Sequence, residues 1–169
     1  SGTYSLKGNK IEFADMAGKP LVMQRAVATL AAKGIINGTA PGFFSPDDSI
    51  SRAEITALIL RTLSKLDPAA DGGFDDVGPD DWYFGAAGSA REHGIINGYE
   101  DNTFRGDLTI LKEQIVAVAA RVLRTEGGYF TPDGQLSFTD AGDIPDWAAA
   151  DAALADAAGL VTPRWDGRF

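Results

Sequence analysis

Apolar and polar positions along this chain fall into blocks that return. Val22, Ala26, Val27, Leu30 and Ala31 stand three and four residues apart, the spacing of an apolar stripe on a helix. Gly34, just after Lys33, predicts the stop of that helix. Ile35 and Ile36 are short apolar anchors expected to tuck the chain under the helix, Asn37-Gly38 is a turn dipeptide, and the loop then reaches an aromatic, Phe44. Ser51-Arg52-Ala53-Glu54 has the form of a capping box, and the helix it opens is expected to bury Ile55, Leu58, Ile59 and Thr62.

The whole block recurs. Ala32-Lys33-Gly34-Ile35-Ile36-Asn37-Gly38 returns sixty residues later as Glu92-His93-Gly94-Ile95-Ile96-Asn97-Gly98, and more faintly at Ala158-Gly159-Leu160-Val161-Thr162. Phe44 falls on Phe104 and Ile50 on Ile110 by the same shift, while Trp82 falls on Trp147 and Phe104 on Phe169 by a shift of 65. Phe13-Ala14-Asp15, Phe74-Asp75-Asp76 and Phe138-Thr139-Asp140 open three copies, their aspartates suited to fixing turns and capping amides. The helices Val22 to Lys33, Asp81 to His93 and Asp146 to Ala158 are therefore predicted equivalents, with Asp81 and Asp146 placed as N-caps. Ile115, Val118, Ala119 and Val122 are the expected apolar face of the second copy's second helix. One such helix pair cannot cover its own stripe, so the copies should pack on one another in an all-α repeat domain. The predicted organisation is an arm at 1–12, copies at 13–66 and 67–126, and a connector with an incomplete third copy at 127–169. The first connector, Asp67 to Gly73, is a proline and glycine linker; the second, with Tyr129, Phe130 and Asp133-Gly134, suits a small hairpin.

Composition narrows the function. A formal charge of −9 argues against a nucleic-acid surface, and any anionic ligand must be met by local cations. The absence of cysteine excludes disulfides and thiolate metal sites. No apolar run reaches the ~20 residues of a membrane span, and no basic stretch followed by an apolar one suggests a signal peptide. The acidic loops lack the alternating spacing of a calcium loop, and the lone histidine, His93, aligns with Lys33 and Ala158 and is read as a surface residue. No metal, cofactor or catalytic set is expected, and the domain is read as not an enzyme.

A Phe-x-Asp opening, a helix, Gly-Ile-Ile-Asn-Gly, a loop ending in Phe, and then Ile50-Ser51-Arg52-Ala53-Glu54 with a second helix resembles the S-layer homology (SLH) domain. Gly98-Tyr99-Glu100-Asp101-Asn102-Thr103-Phe104 is similar to that family's loop, and the resemblance runs from Phe13 to Phe169. It implies a pseudo-threefold helical unit at the bacterial cell surface, in the cell wall or S-layer. It further implies a non-catalytic anchor that binds secondary cell wall polymer, often a pyruvylated acidic glycan, in grooves between copies. The residues that inherit this role are Arg52 and its substituted equivalent Lys112 as cations, Trp82 and Trp147 as aromatic faces, Asp81 beside Trp82, and Gly38 and Gly98 in the glycine loops. Val22 stands at the aligned aromatic place in the first copy, so one or two grooves at most are expected to be fully equipped.

Physical chemistry gives each residue a second reading. A cation in the first helical turn opposes the helix dipole by about 0.3–1 kcal/mol, so Arg52 is not a free choice. Its fork suits a carboxylate, or it makes a surface ion pair with Asp47, Asp48 or Glu54; its side chain is expected to be exposed and ligand-facing. Trp82 and Trp147 either stack on a sugar or pack at a helix start. The alternative function is a structural or protein-interaction module for envelope assembly with degenerate glycan sites, which the eroded Leu111-Lys112-Glu113-Gln114 favours in the second copy. An open apolar seam at the third copy would also permit self-association by a swapped helix. Lysine keeps the charge of the family arginine but loses the fork, so Lys112→Arg should bind wall sacculi as well as the parent or better, measured by co-sedimentation.

Overall fold

The computed structural model describes residues 13–126 and 136–159, with 161 and 168. The N-terminal segment, the hairpin expected around Tyr129 to Gly134, and Arg164, Trp165 and Phe169 lie outside the described residues. Among the described residues five helices carry the fold: α1 (Leu21–Ala32), α2 (Arg52–Thr62), α3 (Phe84–Glu92), α4 (Lys112–Thr125) and α5 (Asp146–Ala157). Among the described residues there is no strand, only isolated bridges joining Ala40 to Phe43 and Ser51 to Thr109.

The repeat register is written into the backbone. Gly34, Gly94 and Gly159 end α1, α3 and α5 with φ of 69°, 67° and 67°, and Ile35 and Ile95 each donate back to a helix carbonyl at 2.9 Å. Phe13 packs on Phe44 at 5.7 Å and Phe74 on Phe104 at 5.4 Å, tilted 47° and 44°. The opening aspartates hold these pairs in place. Asp15 accepts from the amides of Phe44 (3.0 Å) and Ser45 (2.6 Å), and Asp76 from those of Phe104 (2.6 Å) and Arg105 (2.7 Å). Burial pushes the Asp15 carboxyl up, but the two amides and Lys19 outweigh it and hold it below the ordinary carboxylate range. In the third copy Asp140 lies 3.4 Å from Arg168.

α2 opens with the predicted capping box: Ser51 Oγ accepts from the Glu54 amide at 3.2 Å and the Ser51 amide donates to Glu54 at 2.7 Å. In α4 half of that box survives, because the Leu111 amide donates to Gln114 Oε1 at 3.1 Å while leucine has no oxygen to return the bond. Pro20 and Pro145 precede α1 and α5, where a helix start leaves the missing N–H without consequence.

The packing faces differ from those expected. α2 buries Ala53, Thr56, Ala57 and Leu60, not Ile55, Leu58, Ile59 and Thr62, and α4 buries Val116, Ala117, Val118 and Ala120, so only Val118 of its expected face is buried. The reason is close approach. Ala53 and Ala57 meet Ala86, Ala87 and Ala90 of α3 in one core with Leu60, Ile95, Ile96 and Phe104, while Ile59 packs at its margin. Burial of each large side chain there contributes about 1.5–3 kcal/mol. A second core joins Val116 of α4 to Ala148, Ala152 and Ala155 of α5, with Phe138 and Ile144.

The second helix of one copy thus packs on the first helix of the next, α2 on α3 and α4 on α5. The connector adds to this cover, since a Cβ on Gly85 would meet Asp67 O at 2.4 Å and one on Gly88 would meet Ala70 O at 2.1 Å. No helix covers α1 in this way among the described residues, and of its predicted stripe only Val27 and Ala31 are buried; Val22 is 77% exposed and Ala26 is exposed. α3 is also shorter than predicted. Asp81 does not cap it; its carboxylate accepts from the Gly78 amide at 2.8 Å, and the helix starts three residues later, after Tyr83. Asp146 is likewise inside its helix rather than its cap.

Gly38 and Gly98 have a structural cause. With φ of 79°, Gly98 lies so near Phe74 that a Cβ would meet its Cε1 at 2.4 Å, and at Gly38 (φ 77°) one would meet Phe13 Cε1 at 2.6 Å. Gly98→Ala should therefore cost about 2 kcal/mol or more, roughly 4–8 °C in Tm, read by thermal unfolding. Gly142→Ala, where nothing lies within 4 Å, should change Tm little.

Candidate functional site

A cavity of about 670 Å³ opens where three copies meet. The loop of copy two supplies Gly98, Tyr99 and Glu100, α4 supplies Glu113, Gln114 and Arg121, the start of α5 supplies Trp147, and Arg52 enters from copy one. Backbone bonds bring Arg52 there. The amides of Arg52 and Ala53 donate to Leu108 O and Gly106 O, both at 2.9 Å, and Ile110 donates to Ile50 O at 3.2 Å, docking the loop of copy two on the start of α2.

Arg52 is not the exposed side chain its sequence suggested. It is 7% exposed, its guanidinium lying over the rings of Tyr99 (5.1 Å) and Phe104 (5.4 Å). Nor does it make the surface ion pair. Asp47 is bonded to Lys19 and Glu54 to the Ser51 amide, and Arg52 Nε is buried without a hydrogen-bond partner. Burial pushes the guanidinium below its usual range, opposed by Tyr99 and helped by Arg121 and Arg105; it stays a cation at neutral pH. A buried N–H donor left unbonded is costly unless something fills its place.

Around it stands a layer that sequence reasoning missed. Gln114 Nε2 donates to Tyr99 Oη at 2.9 Å, and the Arg105 guanidinium lies 4.0 Å from the Tyr99 ring centre. Asp101 holds Arg105 at 2.7 Å, and the Thr103 hydroxyl donates to Asp101 at 2.6 Å. These two bonds, against a small opposing effect of burial, lower the Asp101 carboxyl to about 2. The signal was present in the sequence: Tyr99 and Arg105 stand where copy one has Thr39 and Ser45, a departure toward aromatic and cation in an otherwise matching loop.

A second cavity of about 450 Å³ takes Gly38, Thr39, Glu54, Arg61 and Trp82. It is the same groove one copy earlier, with Arg61 in the place of Arg121 and Trp82 in that of Trp147, but no residue lining it stands in the place of Arg52. Trp82 also lines a hollow of about 120 Å³ with Asp81. The structure therefore brings Arg52, Gly98 and Trp147 together, places Gly38 with Trp82 elsewhere, and leaves Lys112, exposed at the start of α4, outside all three cavities. Trp82 and Trp147 are 61% and 54% exposed, which weighs against a core-packing role for either.

The S-layer homology domain model matches residues 12–56 and 73–116. The chain belongs to the S-layer homology domain family. An SLH domain places it at the bacterial cell surface, and surface-layer relatives agree. It is 31% identical over 139 residues to the surface-layer 125 kDa protein of Lysinibacillus sphaericus, covering 82% of this chain and 11% of that protein. Identity to the amylopullulanase of Thermoanaerobacterium thermosulfurigenes is 35% over 136 residues, and to the exoglucanase XynX of Acetivibrio thermocellus 32% over 136 residues. Each match covers 80% of this chain but only 7% and 12% of the relative, so the catalytic names describe proteins of which the shared SLH segment is a small part. SLH segments common to surface-layer proteins and such enzymes point to a cell wall anchoring module.

The Asp101 arrangement has a pH signature. A carboxyl lowered in the folded state contributes stability above its ordinary value of 3.8, and loses it as pH falls through about 2. The Tyr99 and Arg105 resonances should stay constant in NMR titration from pH 8 to 4 and move only below that, together with Asp101.

Proposed function

We propose that the larger cavity binds an acidic glycan of the secondary cell wall polymer and so anchors the protein that carries this domain. The observation that carries the reading is Arg52: a buried cation, free of any carboxylate among the described residues, that lines a cavity and has its Nε buried and unbonded behind the wall. An anionic group of the ligand, such as a pyruvyl carboxylate, supplies the missing counter-charge to the guanidinium. Glu100 and Glu113 offer acceptors for sugar hydroxyls, and the exposed face of Trp147 suits a ring. The smaller cavity, with Trp82 but without a counterpart of Arg52, is a weaker site of the same kind. The rival reading, a purely structural module, is favoured only by the position of Lys112 outside these cavities.

Retention on purified sacculi, before and after removal of their covalently attached polymer, tests this directly. Arg52→Ala should lower retention at least tenfold, because charge-assisted bonds contribute about 1.5–3 kcal/mol. It should also lower Tm, since the side chain is packed on two rings. Arg52→Lys should keep Tm nearer the parent yet still bind more weakly. Retention unchanged in both variants, or insensitive to polymer removal, would reject the proposal.

Replacement of Trp147 separates ring stacking from packing. Trp147→Phe should keep much of the retention and Trp147→Ala should lose it, with little change in Tm for either, because the side chain is more than half exposed. A large fall in Tm with unchanged retention would return Trp147 to the packing role.

A further inference from the structure

α5 packs on α4 through methyl groups. Ala148, Ala152 and Ala155 are almost wholly inaccessible and share a core with Val116, and Leu154 is the one large aliphatic side chain α5 buries, so the contact has few ridges to fix how far one helix turns or slides on the other. One polar side chain interrupts it. Asp151 is buried in the same helix, with Arg124 Nη1 donating to one carboxylate oxygen and Arg121 Nε 3.6 Å from the other. Both arginines belong to α4, three residues apart and so on one face, and both keep part of their side chains in water.

Asp151 stands four residues after Trp147, on the same face of α5. Arg121, its ion-pair partner, lines the larger cavity beside Trp147. The corresponding position in α3, four residues after Trp82, is Ala86, and Arg61, in the place of Arg121, makes no ion pair among the described residues. The charge lock therefore belongs to one groove and is not demanded by the repeat.

We propose that Asp151 is a positioning residue: its pairing with Arg121 and Arg124 fixes the rotation of α5 on α4 and thereby aims the Trp147 ring into the cavity. A buried ion pair is weak evidence for stability and better attested as a device that selects one register among several, which an alanine-rich contact lacks. The consequence for binding rests on the reading of Trp147 as a ligand-facing ring; the consequence for its orientation does not.

The test uses the full chain with Trp82→Phe and Trp165→Phe, so that Trp147 is the lone tryptophan. Asp151→Leu puts an apolar group of similar size into an apolar contact and leaves two arginines that reach water, so helicity and cooperative unfolding should persist. Trp147 emission in the free protein should nonetheless shift, retention on sacculi bearing attached polymer should fall roughly tenfold, and adding Trp147→Ala should cost nothing further, since the two residues act through one contact. Unchanged emission, or retention losses that simply add, would overturn the proposal. If Trp147→Ala alone leaves retention intact, the glycan reading of that ring fails, while a shifted emission with Asp151→Leu still upholds the positioning. Should Asp151→Leu lose its helicity, Asp151→Asn, which keeps an acceptor for Arg124, carries the same comparison with a smaller expected shift.

Discussion

The carboxylate that clasps two consecutive amides across each of the first two copies is the interaction on which the rest depends. Asp15 and Asp76 reach nearly thirty residues forward to the Phe44-Ser45 and Phe104-Arg105 amides. Each clasp closes the glycine loop against the start of its copy and seats the aromatic in the core. It also holds the following residue at a positive φ, 59° at Ser45 and 57° at Arg105, a conformation that side chains adopt only when the surroundings enforce it. In copy two that residue is Arg105, and its backbone turn places the guanidinium over Tyr99. A turn-fixing aspartate thus underlies one wall of the larger cavity.

That surface concentrates charge the chain otherwise opposes. Against a formal charge of −9, three arginines converge on one cavity. Arg105 is paired with Asp101 and Arg121 shares Asp151 with Arg124, whereas Arg52 has no carboxylate partner among the described residues. Burial first, and repulsion from Arg121 and Arg105 after it, lowers the Arg52 guanidinium, and the aromatic rings of Tyr99 and Phe104 lie against it. The cavity sets these guanidinium groups beside an apolar wall that includes Leu111, Ala117, Val118 and Trp147, a mixed lining of the kind the proposed glycan would need.

Much of this was legible in the sequence because it is local. The glycine stops, the capping box of α2, the turn aspartates and the register that pairs Gly34 with Gly94 all depend on residues close in the chain, and the geometry repeats where the letters repeat. The buried faces were not legible. A pattern search weights isoleucine and leucine, whereas α2 and α3 meet through alanines, whose small size permits the approach but leaves no mark of which neighbour is approached. Arg52 was found but misplaced for a similar reason: its neighbours Tyr99 and Phe104 lie some fifty residues away, and only the docking of the next copy's loop on the start of α2 reveals that the side chain is covered.

Each groove borrows from its neighbours, and this has a thermodynamic consequence. Arg52, Gly98 and Trp147 come from three different copies, so the proposed ligand, spanning the larger cavity, would touch all three at once. Such an occupant binds only while the copies are docked, and by mass action it must hold them docked. Local openings that separate one copy from the next are then suppressed in the occupied state. Proteases cut through such openings, so on the proposed function a chain seated on its ligand would outlast one that has drifted free.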